Sequence, residues 1–335
     1  MTSLRELCRL GACVLAPLAL ATSLLVACGG GTSQVEAFKP TRLIVFGDEN
    51  SVIENDGSND GFKYTINDRS GDSVGKCSRL PIFTQSVALL YGFSFAECNP
   101  NALAPQAFIR ALRLAKVDDP NTGISQQMAN QGDLNSHDMV TVMMGINDVI
   151  EIYERTQSGT TSADAIDEAR RRGSHLAAQI NAMLRTGARA LVFTIPDVGQ
   201  SPYAVNANLT DPGASTLLTR LTTEFNAYLR TNIDSASFDG RNYGLILADD
   251  IVGAMHKLPA SFLAAPALPE TAACNIASGQ NADVVATAVL ACNTTNLVDG
   301  ASSNTHLWAS DRHIGPAAHA RIGAQAQQRA TTNPF

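Results

Sequence analysis

Residues able to do chemistry gather in short polar clusters placed directly after apolar runs. Gly47-Asp48-Glu49-Asn50-Ser51 follows Leu43-Ile44-Val45-Phe46, and Gly145-Ile146-Asn147-Asp148 follows Met139 to Met144. Another cluster, Pro196-Asp197-Val198-Gly199-Gln200-Ser201-Pro202, follows Ala190 to Ile195. The last, Trp308-Ala309-Ser310-Asp311-Arg312-His313, stands near the end of the chain, with His319 beyond it. Carboxylates, hydroxyls and imidazoles are the side chains that carry protons and attack carbon. In an open parallel sheet such clusters share one edge, because ligands collect beyond the carboxyl ends of the strands. Asp48, Glu49, Asn50 and Ser51 then sit at the mouth of a site. The late loop with His313 supplies a general base.

The apolar runs themselves must be the strands that hold these clusters. Leu43 to Phe46, Met139 to Met144, Ala190 to Ile195 and Tyr243 to Ala248 are continuous and rich in β-branched residues, as expected of strands buried on both faces. Between them the spacing predicts helices over Pro81–Tyr91, Ile124–Asn130, Ala163–Arg185 and Ser215–Asn232, with Pro316–Gln327 closing the chain. Phe62 to Ile66 alternates like a hairpin strand, and Ala107 to Ala115 reads as a short helix. Strands alternating with helices predict an α/β fold: a three-layer α/β/α sandwich around a central, mostly parallel, flavodoxin-like sheet. The globular domain is expected over residues 42–335, with a lid-like insertion around 270–305.

With 45% hydrophobic and 16% charged residues the chain can build a core. A net charge of -7 with no basic stripe argues against a nucleic-acid partner. Arg170-Arg171-Arg172 reads as the solvated face of a helix. Arg5 and Arg9 precede an apolar stretch, Leu10 to Val26, which suits an export signal. The tetrad ending at Cys28 resembles the lipobox of bacterial lipoproteins. That resemblance implies a signal peptide over 1–27, a lipid on Cys28, a tether over 28–41, and a lipid-anchored protein of the bacterial envelope. Gly29 then favours the outer membrane, facing the periplasm or the cell surface. In an oxidising compartment Cys77, Cys98, Cys274 and Cys292 are expected to form disulfides. The sequence-local pairing, Cys77 with Cys98 and Cys274 with Cys292, is favoured over zinc binding, because no Cys-x-x-Cys or clustered His accompanies them.

The ordered clusters resemble the blocks of the SGNH/GDSL hydrolases. Phe46-Gly47-Asp48 looks like the start of the first block, and Gly145-x-Asn147-Asp148 like the family's Gly-x-Asn-Asp block. Gly187 through Pro196-Asp197-x-Gly199-x-Ser201-Pro202 is similar to a lipase/esterase segment, and His313 with His319 resembles the last block. The resemblance implies ester hydrolysis by a nucleophile, a His base and an orienting carboxylate. It also implies an oxyanion hole that includes the Asn147 side chain, for which a helix N-cap is the bland alternative. Gly145 and Asp48 would complete the surroundings of the substrate.

Three positions depart from the pattern. Glu49 stands where the nucleophilic Ser belongs. Ser310 stands where the orienting Asp is expected, with Asp311 one step nearer His313. Arg110 to Ala115 contains no Gly for the second block. Glu49 could attack as a carboxylate, or pair with His313 and hold the imidazole protonated. Ser51 is the other candidate nucleophile, although two helical residues apart face nearly opposite ways. Metal ligation by Asp48, Glu49 and His313 is not favoured, because the fold accounts for each, and no cofactor is expected. His319 is expected to pack or cap, while His137, His175, His256 and His306 are structural and Trp308 packs behind the His loop. The expected function is hydrolysis of acyl or acetyl esters of lipids or glycans. The alternative is a non-catalytic envelope lipoprotein with a binding or structural role.

Overall fold

The computed structural model describes residues 37–71 and 75–332. The signal peptide, Cys28 and the tether up to residue 36 therefore lie outside the described residues. The chain opens with β1 (Arg42–Gly47) and a small antiparallel ribbon, β2 (Ile53–Glu54) with β3 (Phe62–Lys63). Then come α1 (Phe83–Tyr91), β4 (Ala107–Ile109), α2 (Ile124–Gln131), β5 (Asp138–Met143) and α3 (Ile146–Thr156). The middle of the chain supplies α4 (Ser162–Arg185), β6 (Arg189–Phe193), α5 (Pro202–Ala207) and α6 (Ala214–Thr231). The last part adds β7 (Tyr243–Ile246), α7 (Ala248–Lys257), β8 (Leu268–Ala272), α8 (Ala282–Ala291), β9 (His306–Trp308) and α9 (Pro316–Thr331). Among the described residues no helix is long and apolar enough to cross a membrane.

The central sheet runs β4-β1-β5-β6-β7, with every neighbouring pair parallel. Side chains alternate across a strand, so each strand serves two cores. Leu43 and Val45 face a core closed by α1, α7, α9 and the insertion, whereas Ile44 and Phe46 face one closed by α2, α3, α4 and α6. This is the expected three-layer α/β/α architecture. The β1 strand lies inside the sheet, and its turn is therefore held from both sides.

The Ala107–Ala115 segment is not a helix. Ala107, Phe108 and Ile109 pair with Leu43, Ile44 and Val45 as the edge strand β4, and an irregular loop follows. Its local propensity yields to the unpaired edge that β1 would otherwise present. In the insertion, Ala273 N–H donates to Trp308 O (3.0 Å) and Cys274 N–H to Ala309 O (2.9 Å), which pins this segment to the strand before His313. Disulfides join Cys77 to Cys98 and Cys274 to Cys292. From α8, Asp283 and Thr287 bind Arg113, with Nη2 at 2.7 Å from Asp283 O and 3.0 Å from Thr287 Oγ1.

Gly145 caps α3 at φ +138°, and a Cβ there would lie 2.5 Å from the Phe225 ring. Backbone strain and overpacking together predict that Gly145→Ala costs about 2–5 kcal/mol. Urea unfolding of Gly145→Ala, alone and with Phe225→Ala, measures it. The double variant should recover the packing part only. An unchanged unfolding midpoint for Gly145→Ala would contradict this close approach of α3 to α6.

Candidate active site

The turn after β1 carries the central contact of the site. Gly47, at φ +145°, leaves no room for a side chain against the Met143 carbonyl. Its backbone is gripped by one amide side chain: Gly47 N–H donates to Gln127 Oε1 (2.9 Å), and Gln127 Nε2 donates to Gly47 O (2.8 Å). Asp48 N–H donates to Met143 O (3.1 Å) on β5. Asp48 caps a short turn of 3-10 helix, Glu49–Ser51, accepting at Oδ1 from Asn50 N–H (3.1 Å). The turn thus places Glu49 at the carboxyl edge of the sheet, between the ends of β5 and the His313 loop.

Glu49 is 1% exposed, yet its carboxylate is surrounded by partners. Oε2 accepts from Leu114 N–H (2.9 Å) and from Asn147 Nδ2 (2.9 Å). Oε1 lies 3.3 Å from His313 Nε2. Burial pushes the Glu49 carboxyl up, but His313, Glu49's own backbone N–H and the Asn147 amide outweigh it and hold it below the ordinary value. The unfolded chain protonates Glu49 at a higher pH than the folded chain does. Its contribution to stability is therefore present above about 4.5 and is lost as pH falls through the folded value. Asp48 shifts the other way: burial and the adjacent Glu49 charge push it well above the ordinary range, and Asn50 only partly opposes them.

His313 is fully buried. Its Nδ1 is 2.6 Å from Ser310 Oγ, and the Tyr64 ring stacks on it with centroids 5.8 Å apart. Ser310 Oγ already accepts from the backbone N–H groups of Arg312 (3.3 Å) and His313 (3.1 Å). Its hydroxyl proton is thus free to go to Nδ1, which places the imidazole proton on Nε2, facing Glu49. The loop is stitched to the first turn, because Ile314 N–H donates to Asn50 Oδ1 (3.3 Å) and Thr65 Oγ1 to Ile314 O (2.9 Å).

The structure contradicts some of these expectations and bears out others, His319 packing among them. Asp311 does not orient His313. Its carboxylate is taken by Arg312, at 3.0 Å from both Nε and Nη2, and Ser310 occupies the orienting position. Ser51 is no nucleophile in this arrangement: its buried Oγ turns back beside Gly47 and makes no hydrogen bond. Asn147 is not the N-cap of α3, which is Gly145; besides Glu49 it binds Ala115 O (3.3 Å). Gly145 serves through its backbone against Phe225 and not as a contact to Glu49. His319 packs on Phe83, with ring centroids 6.0 Å apart. Burial, then Lys63 and His313, push it down to about 3.

Sequence reasoning missed one donor to Glu49, in the 110–115 stretch, which contains no Gly. Leu114 adopts φ +56°, a conformation that favours Gly, and offers its N–H to Glu49. The loop that holds it is fixed from both ends. Arg110 and Ala111 N–H donate to Val45 O (2.8 and 2.9 Å) and Leu112 N–H to Gly47 O (3.2 Å). Val117 N–H is shared by both oxygens of Asp148 at 3.1 Å. Asp148 is in turn bound by Arg172 (2.8 Å), which also reaches Glu151 (2.7 Å) and Glu168 (2.9 Å). Arg172 is therefore a buried counterion, unlike its neighbours, half-buried Arg170 and exposed Arg171. Burial raises Asp148 to about 6, even with Arg172 and Val117 opposing it.

A groove of about 720 Å³ opens next to this centre, lined by Tyr153, Tyr203, Asn206, Gln280 and Asp311 among others. Glu49 and His313 do not line it. Among the described residues no group of three or more His, Cys, Asp or Glu is arranged to hold a metal ion.

The family model described as GDSL-like Lipase/Acylhydrolase matches residues 43–324. The chain belongs to that family. The GDSL-like acylhydrolases are carboxylic ester hydrolases, so the class of substrate is an ester-bearing molecule. An acetylxylan esterase from Geobacillus stearothermophilus is similar in structure, with 13% identity, 89% of this chain and 97% of that chain covered, and a TM-score of 0.42. An alpha/beta hydrolase from the metagenome of Lake Arreo, Spain, shares 16% identity over 89% of this chain and 97% of its own, with a TM-score of 0.40. A search of curated protein sequences gave no match. In this GDSL-like chain the Leu114 N–H and the Asn147 amide both meet the Glu49 carboxylate.

The opposite shifts of Asp48 and Glu49 make a test. The folded chain keeps the Asp48 proton at a pH where the unfolded chain has released it. Wild-type stability therefore declines as pH rises above the unfolded value of 3.8. Asp48→Asn should be more stable than wild type at pH ~7, by about 1.4 kcal/mol for every tenfold difference in proton affinity between the folded and unfolded chains. The gain should vanish below about pH 3.8. Denaturant unfolding across that range measures it, and a gain independent of pH would contradict the assignment.

Proposed function

We propose that this GDSL-like chain is a carboxylic ester hydrolase of the bacterial cell envelope, with Glu49 as the attacking group and His313 as the general base that activates water. One observation carries this reading. Glu49 Oε2 sits between the Leu114 and Asn147 donors at 2.9 Å, leaving Oε1 towards His313 Nε2 at 3.3 Å. A carboxylate held at one oxygen and free to react at the other is a usable covalent nucleophile. The substrate is an ester-bearing lipid or glycan. The apolar run Leu10 to Val26 and the lipobox-like tetrad before Cys28 support export and a lipid anchor in the membrane, on the outer membrane facing the periplasm or cell surface.

A second reading is favoured by a different observation. Glu49 and His313 are 1% and 0% exposed, and the Leu114 and Asn147 donors are occupied by Glu49 Oε2. On that reading the chain keeps an ester-shaped fold as a non-catalytic envelope lipoprotein for binding or support.

Acid release from short-chain alkyl esters, benzyl acetate among them, separates the two when followed by pH-stat with the full chain in detergent. The hydrolase reading expects activity in wild type and a loss of about 100-fold or more in both Glu49→Gln and His313→Ala. An inert wild type whose Glu49→Ser variant hydrolyses the same esters would establish the binding reading instead.

A further inference from the structure

The donors of this site address the nucleophile and not the substrate. Leu114 N–H and Asn147 Nδ2 converge on Glu49 Oε2, and Glu49's own N–H adds to the stabilisation of that charge. If Oε1 attacked an ester carbonyl, negative charge would develop on the substrate's carbonyl oxygen. The donors able to stabilise it are already bound to Oε2. Displacement at the saturated carbon of the alcohol half forms no tetrahedral alkoxide: the electron pair leaves with the acid half, and its charge is spread over the two oxygens of the departing carboxylate.

We infer that Glu49 cleaves the alkyl–oxygen bond of its ester, through an alkyl ester on its own carboxyl group that water then hydrolyses in the donor pair. The inference rests on the hydrolase reading and specifies its substrate as an ester whose alcohol carbon is saturated and open to displacement. In the first step Oε1 bonds to that carbon, the carbon–oxygen bond breaks, and the acid half departs as its carboxylate anion. In the second step water adds to Glu49 Cδ, and the new negative charge falls on Oε2, where both donors already lie. His313 Nε2 takes a proton from the water and returns it to Oε1 as the alcohol leaves with that oxygen. The water oxygen stays in Glu49, and the remaining proton goes to solvent, which restores the carboxylate.

Ser310 fits this sequence better than an Asp would. While Glu49 is anionic, the hydroxyl donates to His313 Nδ1 and the ring proton faces Oε1. Once Oε1 is alkylated, that attraction is gone. The ring proton can then shift from Nε2 to Nδ1 by exchange with the entering water, which leaves Nε2 as the base, while Ser310 Oγ, 2.6 Å from Nδ1, accepts that proton in place of the long Arg312 contact at 3.3 Å. Asn147, 7% exposed, and half-buried Leu114 are the members of the site that reach solvent.

The test is hydrolysis of benzyl acetate and phenyl acetate by the full chain in water labelled with heavy oxygen. Over many turnovers the label should enter benzyl alcohol and not acetate. In a single turnover it should appear in the peptide containing Glu49. Phenyl acetate, whose ester carbon is aromatic, should be cleaved at least about 100-fold more slowly, because an aromatic carbon does not undergo this displacement. His313→Gln should accumulate a benzyl group on the Glu49 peptide, seen by mass spectrometry. Label in acetate with unlabelled alcohol, or equal rates on the two esters, overturns the inference and leaves the hydrolase reading standing. No hydrolysis of either ester by wild type overturns both.

Discussion

The site depends on one electrostatic constraint: a carboxylate with 1% exposure must remain charged at the edge of a parallel sheet. An unpaired buried carboxylate would take up a proton, since burial penalises the charged form by several kcal/mol or more. Glu49 escapes that outcome because three independent segments bring it partners. Leu114 comes from the loop after β4, Asn147 from the start of α3, and His313 from the loop after β9. No one of these is close to Glu49 in sequence, so the pairing exists only in the folded sheet. Its neighbour Asp48 lacks such partners at Oδ2 and is driven towards the neutral acid.

Much of the surrounding structure can be traced to holding those three segments still. The Asp148–Arg172 pair fixes Val117 and hence the Leu114 loop. Gln127 grips Gly47, and Asn50 ties the first turn to Ile314. The insertion contributes from outside, joining its backbone to Trp308 and Ala309 and its helix to Arg113. A buried pair such as Asp148 with Arg172 gives little net stability, because desolvation offsets the attraction. Its value here is positional: it sets where a backbone N–H points.

The strands and most helices were legible because period and burial agree. Continuous apolar runs became the sheet, and the Gly-x-Asn-Asp and late His clusters did meet at its edge. The misses came where tertiary contacts decide. Ala107 to Ile109 became a strand because β1 needed an edge partner, against its local appearance. Leu114 could not be found by searching for Gly, since a hydrogen-bonded loop imposed its left-handed φ. Arg172 looked like any surface arginine until Asp148 demanded a counterion. Asp311 was the nearest carboxylate in sequence to His313, but its own neighbour Arg312 claimed it and left Ser310 the contact. Glu49 itself was visible from the start; the donors that meet it were not.

The charge on Glu49 is best measured directly, by its carboxyl-carbon resonance in NMR of a chain isotopically labelled at glutamate. The signal is assigned through its absence in Glu49→Gln. If the donors and His313 hold the carboxylate as described, it titrates below the ordinary glutamate value of 4.5, and Asn147→Ala moves that titration upward. A Glu49 signal that titrates at or above the ordinary value and ignores Asn147→Ala would contradict the account.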